Sequence, residues 1–269
     1  MTRLFTLGCS FTAYHYPTWA DIAGTAFNYF ENWGKPNSGN NYILNSLIEL
    51  NLRNSLTSDD TVYIMWSGIA RQDSYQINEW MCEHNEFDKS GFSCVRGYEL
   101  LNCAWFSAAQ HILENLKVNW KMFSWQSWDT ESDVYKIYKP VLDQISAFNY
   151  TNQQVYPYVE PIDSTLLYQR DSGADWPSHK DILSGNYSVT EEIQQEINNF
   201  FKKVKNLKQK TYGQPDLHPS PLTHLKFVED QLPELNISSE TRDWVEHIDQ
   251  CLLENKPFYF QSSTVRNRL

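Results

Sequence analysis

The chain has 269 residues, is 41% hydrophobic and carries a formal net charge of −11 at pH 7, which suits one α/β domain with a full core. The acidic balance argues against a nucleic-acid partner, because such partners are bound through clustered Lys and Arg side chains. There is no signal-peptide pattern at Met1 and no apolar run long enough to cross a bilayer, so we expect no membrane partner and a cytoplasmic protein.

Strands and helices alternate in the first part of the sequence. Residues 4–7 form a compact apolar strand, and a helix with proline in its first turn begins at Pro17. An aromatic strand and a turn rich in Gly, Pro, Asn and Ser follow over residues 28–41, and then a helix over residues 42–56. The unbroken apolar run of residues 61–68 is typical of an interior parallel strand. This order predicts an α/β fold with a doubly wound, mainly parallel sheet.

The rest of the chain is less regular. Its predicted elements are helices over residues 99–116, 134–148, 190–205 and about 239–253, and a strand over residues 118–125. Two irregular insertions interrupt the alternation, at about residues 71–98 and 128–187, and long loops of this kind are typical of lids and binding loops. We expect a single domain over residues 1–269.

The segment LFTLGCSFT ends the first strand with a glycine and delivers Ser10 directly after it. In an open parallel sheet, ligands bind at the carboxyl ends of the strands, and residues 34–41 and 67–71 reach the same edge. A serine hydroxyl needs a base within hydrogen-bond distance, and that base is held in one tautomer by a carboxylate or carbonyl. Asp216 and His218 lie on one late loop and can supply both groups, with Ser10 as the nucleophile.

These segments resemble the SGNH, or GDSL-like, hydrolases. Gly-Cys-Ser, ending at Ser10, stands where that family has Gly-Asp-Ser; NWGKPNSG, with Gly34 and Gly39, is similar to its second segment; and PDLHPSPLTH is similar to its Asp/His loop. The resemblance covers about residues 1–230 and is strongest to an uncharacterised phage and bacterial branch with GCSFT and D-x-HPSP segments. It implies a three-layer α/β/α sandwich of flavodoxin-like type with a serine esterase site.

The resemblance also implies an oxyanion site at the same edge of the sheet. The backbone N–H groups of Ser10 and Gly39 would hold the oxyanion, together with one side chain drawn from Asn40, Asn41 or Arg71. A donor of this kind typically contributes about 10²–10³ in rate.

Three features depart from the family pattern. Cys9 replaces the aspartate that normally braces the turn, so Ser10 must be positioned by other groups. The third segment normally ends Gly-x-Asn-Asp, but here it runs SGIARQD from Ser67, which we assign to the substrate side of the site, and it contains no asparagine. The spacing from Asp216 to His218 is Asp-x-His, which also occurs in alginate-acetyltransferase-like relatives.

Structural roles remain open for several of these residues. Ser10 could cap a helix at a strand-to-helix turn. His218 could be a structural loop histidine, and His224, six residues later, is interpreted as structural. Arg71 and Asp73 could pair with each other.

No metal and no cofactor are indicated, because the Asp/His loop offers no fourth ligand and the five scattered cysteines form no CxxC pair. The predicted function is hydrolysis or transfer of a small acyl group such as acetyl, from a small ester or an acylated glycan. The alternatives are a catalytically degenerate fold that binds a glycan or a protein, and a phage assembly component. A phage-encoded chain would act in the host cytoplasm. The oligomeric state is left open.

Overall fold

The computed structural model describes residues 2–69, 71–76, 79–84, 95–125, 130–148 and 218–254, and residues 256, 258 and 260. Three sequence predictions lie outside these residues: the helix over 190–205, most of the insertion over 128–187, and Asp216.

The fold is α/β with a parallel sheet, as the sequence predicts. In the described residues the sheet has five strands in the order β2-β1-β3-β6-β7, and every neighbouring pair is parallel. The strands are β1 (Arg3–Gly8), β2 (Tyr29–Gly34), β3 (Asp60–Trp66), β6 (Asn119–Ser124) and β7 (Ile145–Ala147). A separate antiparallel hairpin is formed by β4 (Arg71–Gln76) and β5 (Glu79–His84).

Helices cover both faces of the sheet. They are α1 (Trp19–Gly24), α2 (Asn40–Asn54), α3 (Val95–Leu116), α4 (Asp133–Leu142), α5 (Pro221–Gln231) and α6 (Ser239–Leu253), with a short 3-10 turn at Pro233–Leu235. One core contains side chains from α1, α5 and α6, and the other contains side chains from α2, α3 and α4. None of the helices within the described ranges is both long and apolar enough to cross a membrane.

Strand β3 connects the two cores. All of its residues are buried, and alternate side chains enter opposite cores: Tyr63 and Met65 face one, while Val62, Ile64 and Trp66 face the other. A strand that is buried on both faces needs a continuous apolar sequence, which is why this segment was predicted as an interior strand.

The end of β1 lies at the point where the strand order reverses. From β1 the chain passes to β2 on one side and later to β3 on the other, and such a point is where open α/β sheets bind ligands. A Cβ atom on Gly8 would lie 2.0 Å from Thr12 Oγ1 and 2.9 Å from Met65 O, so the close return of the turn requires glycine here. Ser10 therefore follows directly at the switch point.

Two element predictions are corrected. The insertion at about 71–98 contains the β4–β5 hairpin and the start of α3 at Val95. The helix predicted over 134–148 ends at Leu142, after which Ile145–Ala147 pairs with β6 as a fifth parallel strand. A strand of three residues is too short to produce a readable alternation, and its conformation is set by pairing with β6.

Candidate active site

Ser10 and His218 meet at this edge of the sheet. Ser10 Oγ lies 2.8 Å from His218 Nε2, although the two residues are 208 positions apart in the chain. The contact that the sequence analysis expected between these side chains is present. Ser10 is 4% exposed, so the hydroxyl is largely enclosed. Asp216, the predicted orienting carboxylate, lies outside the described residues and stays a prediction.

A tight turn holds Ser10. The backbone N–H groups of Thr12 and Ala13 both donate to the carbonyl of Cys9, at 2.9 and 3.0 Å, so the chain closes around Ser10. The Cys9 side chain is fully buried in the core on the α1 side of the sheet. Its thiol therefore packs as a small apolar group and does not take the bracing role of the aspartate in a Gly-Asp-Ser turn.

Aromatic side chains from the same turn hold His218. The Tyr14 ring stacks on the imidazole, with centroids 4.1 Å apart and planes inclined by 25°, and Phe11 lies 5.6 Å away. The Tyr16 hydroxyl donates to the carbonyl of Pro219 at 3.1 Å. The segment after Ser10 thus fixes both the ring and the loop of its partner histidine, a role that the sequence analysis missed.

His224 is a buried, neutral neighbour of this pair. It is 1% exposed and packs against Phe148 and Phe11, with centroid distances of 5.5 and 6.5 Å. Burial, with a smaller contribution from the charge of His218, lowers the pKa of His224 to about 3. Its Nδ1 has no hydrogen-bond partner within the described ranges. These features fit a packing role, as the sequence analysis interpreted this residue.

Asn40 does not have the free amide that an oxyanion donor needs. Its Nδ2 donates to Ser67 O at 2.9 Å and to Asn102 Oδ1 at 2.6 Å, and its Oδ1 accepts from Ser67 N at 2.7 Å. Both amide hydrogens are therefore engaged, and the predicted role is corrected. Asn102 in turn donates to the carbonyls of Ile69 and Tyr98, so Asn40 fastens the loop after β3 to α2 and α3.

The backbone N–H of Gly39 is also engaged. It donates to Asp73 Oδ1 at 2.7 Å, and the N–H of Tyr42 donates to Asp73 Oδ2 at 2.8 Å. Asp73 therefore caps the amino end of α2 from the β4–β5 hairpin. The prediction that the Gly39 amide holds an oxyanion does not agree with this contact. Nor does the structure pair Asp73 with Arg71, whose Nη1 donates to Ser38 O at 3.0 Å.

Arg71 and Ser67 keep groups that could act on a substrate. Ser38 Oγ lies 2.8 Å from Lys35 O and 3.2 Å from Gly8 O, so Ser38, to which Arg71 donates, lies beside the end of β1, two residues before Ser10. A guanidinium has five N–H donors, and the hydrogen bond to Ser38 accounts for one of them within the described residues. Ser67 Oγ is buried without a hydrogen-bond partner in the described part of the chain.

A buried polar cluster below the serine turn was also missed. Thr18 Oγ1 and Asn32 Nδ2 lie 2.6 and 2.7 Å from the carbonyl of Thr12, and Asp21 Oδ2 accepts from the Thr18 backbone N–H at 3.0 Å. Asp21 is 6% exposed, and burial raises its pKa to about 6. The spacing Thr-x-x-Asp after Pro17 is a helix-start pattern that could have located part of this cluster. Nothing in the sequence links Asn32 to it.

Comparisons with known proteins add little to this geometry. No family model matches the sequence, and no curated protein matches it. The solved structure of a member of the lipolytic protein G-D-S-L family from Veillonella parvula aligns with a TM-score of 0.34 and 11% identity, over 60% of this chain and 88% of that one. A likeness at this level supports no conclusion about activity.

Proposed function

We propose that the protein is a serine ester hydrolase of the SGNH type. The observation that supports this most strongly is the 2.8 Å contact between Ser10 Oγ and His218 Nε2, at the switch point of a parallel sheet. A nucleophile and a base within hydrogen-bond distance are the minimal arrangement for acyl transfer through serine.

In the proposed reaction His218 acts first as a base. With its ring proton on Nδ1, Nε2 takes the Ser10 proton while Oγ attacks the ester carbonyl carbon. His218 then gives that proton to the leaving alcohol, and the acyl group remains on Ser10. Water, deprotonated by the same nitrogen, attacks the acyl carbonyl, the bond to Ser10 Oγ breaks as His218 returns the proton to Oγ, and the acid is released; a sugar hydroxyl in place of water would make the reaction an acyl transfer. Asp216 is proposed to orient the ring from the Nδ1 side.

Two donors are proposed for the oxyanion: the backbone N–H of Ser10 and the guanidinium of Arg71. Ser10 directly follows β1 and Arg71 donates to Ser38 O, whereas the Gly39 N–H and the Asn40 amide are engaged elsewhere. Removal of one oxyanion donor typically lowers kcat by about 10²–10³.

The proposed substrate carries a small acyl group such as acetyl, on a small ester or a glycan. Ser10 is 4% exposed, and the Phe11 and Tyr14 rings pack around its partner His218. An enclosed hydroxyl beside aromatic rings favours a short acyl chain over a long one. Ser67 is proposed to lie on the substrate side of this space.

The same enclosure also favours a second candidate function. The engaged Gly39 and Asn40 donors and the low exposure of Ser10 are features of a site that has lost catalysis and retained the fold. Such a protein would bind a glycan or a protein partner, or serve as a phage assembly component.

Ser10→Ala separates the two candidates. We expect the wild-type protein to hydrolyse p-nitrophenyl acetate, and Ser10→Ala to lose at least about 10³-fold in kcat/KM, because the nucleophile is removed. Ser46→Ala is the matched control, since Ser46 is also buried but lies on α2. Equal turnover by wild type and Ser10→Ala would overturn the serine mechanism, and no turnover by the folded wild type would favour the binding protein.

A further inference from the structure

The turn that carries Ser10 lacks the family's aspartate, so another group must hold it. Thr12 is central to that turn: its N–H closes the turn onto Cys9 O, and its carbonyl lies within hydrogen-bond distance of Thr18 Oγ1 and Asn32 Nδ2. Thr12 and Thr18 are both fully buried. A displacement of the Thr12 carbonyl would therefore move the peptide units around Ser10.

Three buried oxygen atoms, Thr12 O, Thr18 Oγ1 and Asp21 Oδ2, lie within hydrogen-bond distance of one another in a row next to this turn. Thr18 Oγ1 is 2.6 Å from Thr12 O and 2.9 Å from Asp21 Oδ2. A carbonyl has no proton to donate, and the hydroxyl of Thr18 has one, so the hydroxyl can fill only one of these two contacts. Both contacts are hydrogen bonds only if the third oxygen, on Asp21, carries a proton and donates it to Thr18.

A protonated Asp21 satisfies every contact of the cluster. Its hydroxyl donates to Thr18 Oγ1, Thr18 then donates to Thr12 O, and the same carboxyl oxygen keeps a lone pair for the Thr18 backbone N–H at 3.0 Å. An ionised Asp21 would leave two buried oxygens facing each other with no proton between them, which is costly in a buried site.

Burial favours the neutral form of Asp21 and outweighs the hydrogen bonds that lower its pKa. In the described part of the chain its carboxyl is contacted by Thr18, by Asn32 at 3.5 Å and by backbone amides, none of which titrates. Helix α5, which packs against α1, contributes the buried His224, and this ring stays neutral because its pKa is about 3. The pKa of Asp21 is raised to about 6, the direction expected if the carboxyl donates a proton to Thr18.

We propose that Asp21 is a positioning residue: at mildly acidic pH its carboxyl keeps a proton in the folded protein and, through Thr18, fixes the Thr12 carbonyl and the turn that carries Ser10. The catalytic part of this inference rests on the proposed hydrolase function. The proton on Asp21 does not, because it follows from the buried contacts alone.

The proton is tested by stability and by NMR. Because the folded pKa of about 6 lies above the ordinary value of 3.8, the folded state binds more protons between these values, and stability falls as the pH rises through them. We expect the folding equilibrium constant of the wild type, relative to Asp21→Asn, to fall by about 100-fold between pH 3.5 and 7. The contribution of His224 is common to both proteins and cancels in the comparison.

Carboxyl ¹³C signals measured against pH, assigned with Asp21→Asn, give the same answer directly. Asp60→Asn is the control, since burial alone would raise the pKa of Asp60 but hydrogen bonds from Arg3 and Thr57 lower it. We expect Asp21 to titrate well above Asp60. An Asp21 that titrates at or below the ordinary aspartate value would overturn the proposal.

The positioning role is tested at Thr18. Thr18→Val keeps the volume and removes the hydroxyl, while Thr18→Ser keeps the hydroxyl. We expect Thr18→Val to lower kcat for p-nitrophenyl acetate by about 10- to 100-fold with little change in KM, and Thr18→Ser to stay near wild type. Equal kcat for Thr18→Val and wild type would refute the positioning role while leaving the hydrolase function intact.

A measurement that does not depend on ester hydrolysis also tests the positioning role. The imidazole ¹⁵N signals of His218 report its contact with Ser10 whether or not the protein hydrolyses esters. We expect these signals to shift in Thr18→Val and to stay in place in Thr18→Ser and Asp60→Asn. Unchanged signals in Thr18→Val would show that the cluster does not position Ser10.

Discussion

His218→Ala should reduce kcat/KM for p-nitrophenyl acetate by at least about 10³-fold, because the base that takes the Ser10 proton is removed. The effect is expected to fall on kcat, since the contact between Nε2 and Ser10 Oγ serves proton transfer and contributes little to ester binding. The protein should remain folded, because the loop is also held by the Tyr16 contact to Pro219 and by the Ser220 cap at the start of α5.

His224 provides the matched control for this variant. His224→Ala should cost stability, by about 2 kcal/mol in urea unfolding, because it leaves a cavity between Phe11 and Phe148. Turnover per folded molecule should change little. If both variants fold and lose turnover equally, the base has been assigned to the wrong histidine.

Asn40→Ala should have the largest effect on stability, about 3–5 kcal/mol in chemical denaturation. The change leaves the Ser67 N–H, the Ser67 carbonyl and Asn102 Oδ1 without their partner, and each buried unsatisfied group costs about 1–3 kcal/mol. A loss of this size is uncommon for one substitution and is diagnostic of a broken buried network.

Asn45 lies on the same helix and offers a comparison at the surface. It is exposed and bonds to the carbonyl and side chain of Asn41, so Asn45→Ala should change stability by no more than about 0.5 kcal/mol. Unfolding free energies for Asn40→Ala and Asn45→Ala that agree within error would show that the Asn40 network does not hold the loop after β3.

The fold was predictable where local pattern and tertiary context agree. Helices α2 and α6 and strand β3 were located within a few residues, because each has a sustained apolar period or an unbroken apolar run. The β4–β5 hairpin and β7 were not, since they lack such a pattern. Strand β7 forms because its three residues pair with β6. The prediction of a helix over residues 134–148 was wrong in this part because it considered only the local sequence.

The sequence predicted the contact between Ser10 and His218, but it did not predict the hydrogen bonds of the surrounding Gly39 and Asn40. Ser10 directly follows the predicted first strand, and His218 lies on the predicted Asp/His loop, just before α5. The partners of Gly39 and Asn40 are Asp73 and Asn102, which lie 34 and 62 residues away in the chain. The sequence near Gly39 and Asn40 therefore gives no sign that their N–H groups are already hydrogen-bonded.

Covalent labelling of Ser10 tests the central claim, that this hydroxyl is a nucleophile activated by His218. The native protein is incubated with a fluorophosphonate and its peptides are mapped by mass spectrometry, beside His218→Ala and Ser46→Ala. An activated serine attacks phosphorus, displaces fluoride and keeps the phosphonyl group, so we predict one adduct on the peptide containing Ser10 in the wild type and in Ser46→Ala. In His218→Ala the adduct should form far more slowly. A folded wild-type protein with no adduct on Ser10, or labelling that is equally fast in His218→Ala, would contradict the claim.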